Sequence, residues 1–160
     1  REVVLERVRQ VAAAPGAAPL VFRAAASGAR LIRENGTPFS AMVILSAQPV
    51  GAAQATDAEF LTPVLESGAT VYVVASRAPP APGAPPGDDD VLRALAEQTA
   101  GQFTTIYSPV SYPSALDRLA DRLAAQMMIE YVVPSGAAPG DVRVGVRIPG
   151  AIATGLGVSK

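Results

Sequence analysis

Ser40-Ala41-Met42-Val43-Ile44-Leu45-Ser46 is a short apolar run with β-branched residues at its centre, set between Gly36/Pro38 and Pro49/Gly51. A run that is apolar on both faces suits a strand of a parallel sheet covered by helices on both sides, and this one is expected at the sheet's centre. In open α/β sheets the functional edge lies just past the carboxyl ends of such strands. Here that edge reads Ser46-Ala47-Gln48, small and neutral, with no charge to do chemistry.

The rest of the chain alternates helical and strand patterns around this run. Glu2 to Ala13 is helix-like, with Val4, Val8, Val11 and Ala12 on one face and Ala14-Pro15-Gly16 as its stop. Pro19 suits a first helical turn, and the helix after it carries Leu20, Ala24, Gly28, Leu31 and Ile32 in a stripe up to Asn35-Gly36. Thr56-Asp57 is placed to cap a short helix through Phe60, Leu61, Val64 and Leu65, which Pro63 either kinks or forces to start late. Ala69 to Ser76 is a second buried strand and the strongest β signal in the chain. Arg77 to Gly87 is a proline-rich surface loop. Asp88-Asp89-Asp90 opens a helix bearing Val91, Leu92 and Leu95, with negative charge at the positive end of the helix dipole.

Gln102 to Tyr107 reads as a third strand. Ser114-Ala115-Leu116-Asp117 resembles a capping box and leads a helix with Leu116, Leu119, Leu123 and Met127 in a stripe. Ile129 to Val133 and Val142 to Ile148 read as two strands joined by a turn, and the alternation of the second fits an antiparallel hairpin with one face buried. The expected fold is α/β: a doubly wound, mostly parallel sheet flanked by helices over residues 1–128, with the hairpin and a Gly-rich tail over 129–160. Two helices precede the first strand, so the sheet lacks its opening strands.

Composition narrows the chemistry. With 49% hydrophobic and 5% aromatic residues, the core must be mostly aliphatic. The chain holds no Cys and no His, which removes thiol nucleophiles, disulfides, thiolate or imidazole metal sites and any Ser-His-Asp triad. A net charge of −1 without a long basic block argues against a nucleic-acid surface. No run approaches the ~18 apolar residues of a membrane span. The chain opens at Arg1 and goes straight into a helical pattern, as expected of a processed product or a fragment.

Several stretches together resemble the C-terminal half of a von Willebrand factor A-like (VWA-like) domain, of the bacterial, often exported, VWFA-related group. They are Ala41 to Ser46 with the loop after it, Leu65 to Val74, and Leu92-Arg93-Ala94-Leu95-Ala96-Glu97-Gln98-Thr99-Ala100-Gly101-Gln102-Phe103. The stretch from Leu116 through Leu123 to Ile129-Glu130-Tyr131-Val132-Val133-Pro134 completes the set. The resemblance spans residues 4–149 and implies a Rossmann-like winding with half a domain missing upstream, including the first strand. It also implies an extracytoplasmic location: periplasmic, secreted, or membrane-associated through a partner.

In that family a metal site tops the sheet, built from an Asp-x-Ser-x-Ser loop, a Thr in a second loop and an Asp after a central strand. Hard oxygen ligands of this kind suit Mg²⁺. This sequence contains no Asp-x-Ser-x-Ser; Ala17-Ala18-Pro19 stands near the Thr position and Ala47 at that of the Asp. The resemblance therefore implies a degenerate site, with no metal, no cofactor and no catalytic residue expected.

The expected role is a non-enzymatic interaction module or structural subunit of a larger assembly, with a partner protein or an upstream segment completing the sheet. A metal-independent carrier or sensor of a small ligand is the alternative. The candidate contact residues are Ser46, Gln48 and Asp57 on the loop after the first strand, and Tyr107 and Tyr112 around Pro109 and Pro113. Asp88-Asp89-Asp90 reads as a solvated helix start, and Met127-Met128 as core filling.

Overall fold

A computed structural model describes residues 6, 21–36, 39–47, 58–79, 91–127 and 147–150. Among the described residues, the helices α1 (Val21–Asn35), α2 (Ala58–Glu66), α3 (Val91–Gln98) and α4 (Tyr112–Ala124) accompany the strands β1 (Ala41–Ser46), β2 (Thr70–Ser76) and β3 (Gln102–Ile106). A 3-10 turn over Pro109–Ser111 leads into α4. The strands form an open parallel sheet in the order β1-β2-β3. Two successive strands joined through helices on one face are what right-handed crossovers give when a sheet grows in one direction.

The centre of this sheet is β2, not β1. Val71, Val73 and Ala75 face one side, packed with Ile44 under α1, α2 and α3 through Phe22, Ala25, Val64, Leu92 and Leu95. Val74 faces the other side with Ile106, under Ala115, Tyr112 and Leu116 of α4. Residues 71–75 are all buried, as a strand covered on both faces requires. Strand β1 is the outer member: Ile44 is buried, but Val43 and Leu45 are 43% and 54% exposed. Those two stand beside Tyr72 and Val74 on the α4 side, and α4 covers β2 and β3 without reaching them. Apolarity alone marks both runs as strands; the position of α4 decides which is central.

The helix ends explain the glycines. Gly36 and Gly68 close α1 and α2 with φ of 60° and 68°, the left-handed conformation a Cβ disfavours. At the end of α3 the same position falls on Ala100, with φ 54°. Gly101 cannot be spared for it. A Cβ on Gly101 would collide with the Val71 carbonyl, because the chain crosses β2 there with no room for a side chain. The Gly101 and Ala100 N–H groups donate back to Ala96 and Glu97 carbonyls at 2.8 and 3.1 Å, completing a Schellman-type cap.

Thr99 joins the same junction. Thr70 donates its N–H to the Ser40 carbonyl of the β1 side at 2.9 Å, so Val71 points its own toward β3. Strand β3 begins only opposite Tyr72, one residue too late. Thr99 Oγ1 accepts the Val71 N–H at 3.0 Å while its hydroxyl donates into the last turn of α3, 2.9 Å from the Leu95 carbonyl.

Other expectations are corrected in detail. The buried stripe of α1 is Phe22, Ala25, Ala26 and Ala29, rotated from the one read in sequence; Ala24 and Leu31 are exposed. Small residues on several faces leave the stripe ambiguous, and close packing against α2 selects the alanines. Gly28 lies over β1, where a Cβ would stand 3.4 Å from the Met42 methyl. Helix α2 runs through Pro63 from Ala58, without a late start. The capping box at Ser114 does not form: α4 begins at Tyr112 with Pro113 in its first turn, and Ser114 Oγ donates to the Ser111 carbonyl. Met127 lies beyond the end of α4 and is 82% exposed, so it fills no core. The hairpin lies outside the described residues except for Arg147 and Ile148, which are exposed and not in a strand. Met128, Asp88-Asp89-Asp90 and the proline-rich loop after Pro79 also lie outside them.

Two substitutions test the α3–β3 junction. Thr99→Val keeps the shape but orphans the buried Val71 N–H and is expected to cost about 1–3 kcal/mol in urea denaturation. Gly101→Ala is expected to cost more than about 3 kcal/mol, because the obstacle is backbone rather than a movable side chain.

Candidate functional site

The carboxyl ends of the three strands meet at Ser46, Ser76-Arg77 and Ile106-Tyr107. Ser46 ends β1 and is buried at 6% exposure. Its carbonyl lies at the end of the ladder and takes side-chain donors from two other elements. Tyr112 Oη, from the first turn of α4, donates to it at 3.1 Å. Arg77 Nη1 donates to it at 3.3 Å and to the Ser76 carbonyl at 2.8 Å. Arg77 Nη2 lies 3.5 Å from Ser46 Oγ, and the Arg77 backbone N–H donates to the Ile106 carbonyl at 2.9 Å.

One guanidinium and one phenol thus fasten β1, β2 and α4 at the sheet's carboxyl end, and the Arg77 backbone N–H adds β3. Charge-assisted bonds of this kind are stronger than neutral ones, and a single guanidinium nitrogen, Nη1, reaches both carbonyls. The Arg77 guanidinium also lies 5.9 Å from the centroid of the Phe103 ring, and that of Arg93 lies 4.4 Å from the same centroid. Phe103 therefore serves the cationic groups of two elements as well as the apolar core.

Of the five candidate contact residues, the structure brings Ser46 and Tyr112 together. Tyr107 follows β3 at the same end and is 60% exposed. Gln48 and Asp57 lie outside the described residues. Sequence reasoning missed Arg77 as a member of this site. Its signal was position: it is the first residue after the strongest strand, which places a long cationic side chain at the edge where the strands end.

On the α4 side of the sheet, a cleft of ≈ 100 Å³ is lined by Tyr72, Gln102, Thr104, Arg118 and Leu119, among others. Gln126 Nε2 donates to Tyr72 Oη at 2.7 Å, and Arg122 donates to Gln102. The volume falls below the ~300 Å³ at which small-molecule pockets begin. Among the described residues no three His, Cys, Asp or Glu side chains gather as a metal site would need. No described helix is long and apolar enough to cross a membrane.

Tyr112→Phe, which removes the hydroxyl and keeps the ring, is expected to lower stability by about 0.5–1.5 kcal/mol. Tyr107→Phe, at an exposed position, is expected to stay within about 0.5 kcal/mol of the parent. Chemical denaturation of the two variants side by side checks the assignment.

Comparisons of the chain with protein-family models, with curated proteins and with solved structures return no match.

Proposed function

We propose that this chain is a non-enzymatic interaction module, a structural subunit of a larger assembly. In this reading it is a VWA-like domain with the family's winding and C-terminal hairpin but without metal-dependent adhesion chemistry, acting outside the cytoplasm. One observation carries the proposal: polar groups at the functional edge are turned inward while apolar groups of β1 are turned outward. The Arg77 guanidinium and the Tyr112 hydroxyl both donate to the Ser46 carbonyl, joining three elements. Val43 and Leu45 meanwhile face solvent from a strand of six residues with no charge and no proline. Groups spent on internal bonds serve the fold, and exposed apolar side chains in a row serve contact.

The small-ligand alternative needs convergent polar groups around a concave site. The arrangement at Ser46 favours the structural role.

The reading is tested by native mass. Recovered from its own setting under mild conditions, the protein is expected in a particle heavier than its own polypeptide. Recovery as a free monomer there, at concentrations matching those in the source, overturns the proposal.

A further inference from the structure

Asn35 is the chain's one asparagine, and Gly36 follows it. The pair ends α1: Asn35 is its last residue, and Gly36 turns the chain out of the helix with φ 60°. Both residues are exposed, and a Cβ built on Gly36 would meet nothing within 4 Å. The Asn35 side-chain amide and the peptide nitrogen beside it thus stand in open surroundings.

An asparagine carries an electrophilic carbon, Cγ, within reach of the peptide nitrogen of the next residue. Attack by that nitrogen closes a five-membered ring. A side chain on the next residue obstructs the approach, and Gly36 has none.

Two hydrogen bonds hold the reacting atoms back. Asn35 Nδ2 donates to the Leu31 carbonyl at 2.9 Å, which turns the amide toward the preceding turn. The Gly36 N–H donates to the Arg33 carbonyl at 3.1 Å, a three-residue closure of the kind that tightens helix ends. Both bonds belong to the last turn of α1, and helix ends fray. The first lies among exposed residues, where water replaces the lost partner at little cost. The buried residues that anchor α1, Phe22, Ala25, Ala26 and Ala29, end more than a turn before Asn35. The ion pair of the last turn, Arg33 with Glu66 of α2 at 3.4 Å, joins two mostly exposed side chains, and such pairs are worth little. Opening this turn therefore leaves the core in place.

We propose that Asn35-Gly36 is a site of spontaneous covalent modification, at which the folded chain converts Asn35 to aspartate and isoaspartate when the last turn of α1 frays. The Gly36 nitrogen bonds to Asn35 Cγ and gives up its proton, and the Cγ–Nδ2 bond breaks to release ammonia. Water then opens the resulting succinimide. Cleavage of the bond from nitrogen to Cγ returns the ordinary backbone with aspartate at position 35. Cleavage of the bond to the main-chain carbonyl carbon routes the backbone through Cβ and leaves isoaspartate. Water is the one reactant consumed, and no oxidant or cofactor enters.

The products act on α1 itself. Aspartate has no donor for the Leu31 carbonyl and places negative charge at the negative end of the helix dipole, next to Glu34. It adds one negative charge to a chain whose formal net charge is −1. Isoaspartate also lengthens the link between α1 and β1 by one backbone atom. This site is independent of the interaction reading above.

The test incubates the full chain beside a synthetic peptide of residues 31–39 at physiological temperature and mildly alkaline pH. Peptide mapping by mass spectrometry follows the change from amide to acid at position 35 and separates the two products. The folded chain is expected to react within about a hundredfold of the peptide's rate, because a terminal turn opens at a small fraction of the global cost. Slower conversion overturns the proposal, since waiting for global unfolding costs more than about a thousandfold. Ile106→Val, on the face of the sheet opposite α1, lowers the stability of the whole fold and leaves this turn untouched. Its conversion is expected to stay within about twofold of the parent's. A rise in proportion to the lost stability assigns the reaction to the unfolded chain and overturns the proposal. Asn35→Gln, whose amide would have to close a six-membered ring, should show no conversion over the same time. Conversion of that variant at the parent's rate rules out the succinimide route and also overturns it.

Discussion

The structure depends on how one residue of the central strand, Val71, is met by the end of a helix. Strand β2 is buried on both faces, so each of its peptide groups needs a partner within the protein. The ladder to β3 starts one residue late and leaves the Val71 N–H over. Thr99 supplies the missing acceptor from a side chain, and Gly101 lets the chain pass the Val71 carbonyl. With glycine committed to that passage, the left-handed residue ending α3 must be Ala100, at some conformational cost. A local penalty is accepted so that the strand buried on both sides has no orphaned group.

This junction also accounts for the motif behind the family resemblance. Its Thr99, Gly101 and Phe103 have separate structural duties: an acceptor for a buried N–H, clearance for a carbonyl, and a ring beneath Arg93. A spacing of threonine, glycine and phenylalanine that answers packing demands speaks for a helix-to-strand crossing in a parallel α/β sheet. It says nothing of what the sheet's carboxyl end binds. The functional reading has to stand on the surface of β1 and the bonds at Ser46.

Much of the fold was legible because the strands are short apolar runs between turn residues, and periodicity plus punctuation is enough to place them. Their order across the sheet was not. Ala41–Ser46 and Thr70–Ser76 are both short, uncharged and mostly apolar, and only the fold, with α4 lying over Val74 and Ile106, makes the second central. The stripe on α1 was misread for a related reason: alanine and glycine pack on whichever face a neighbour approaches. Pro113 and the turn before it moved the start of α4 back to Tyr112, and that shift points the Tyr112 hydroxyl at Ser46. Of the candidate site, Ser46 and Tyr112 could be named but their pairing could not. It joins residues 66 positions apart through a backbone carbonyl, and backbone acceptors leave no trace in sequence.

The two ends of β1 pose opposite problems. At Ser46 the last carbonyl of the strand takes two side-chain donors from other elements. Along its outer side, by contrast, the peptide groups of Ala41, Val43 and Leu45 meet no strand among the described residues. Water could satisfy those peptide groups at little cost, so hydrogen bonding alone does not require a partner. The side chains weigh more: fully burying an exposed valine or leucine is worth about 1.5–3 kcal/mol, and Val43 and Leu45, at 43% and 54% exposure, have part of that already.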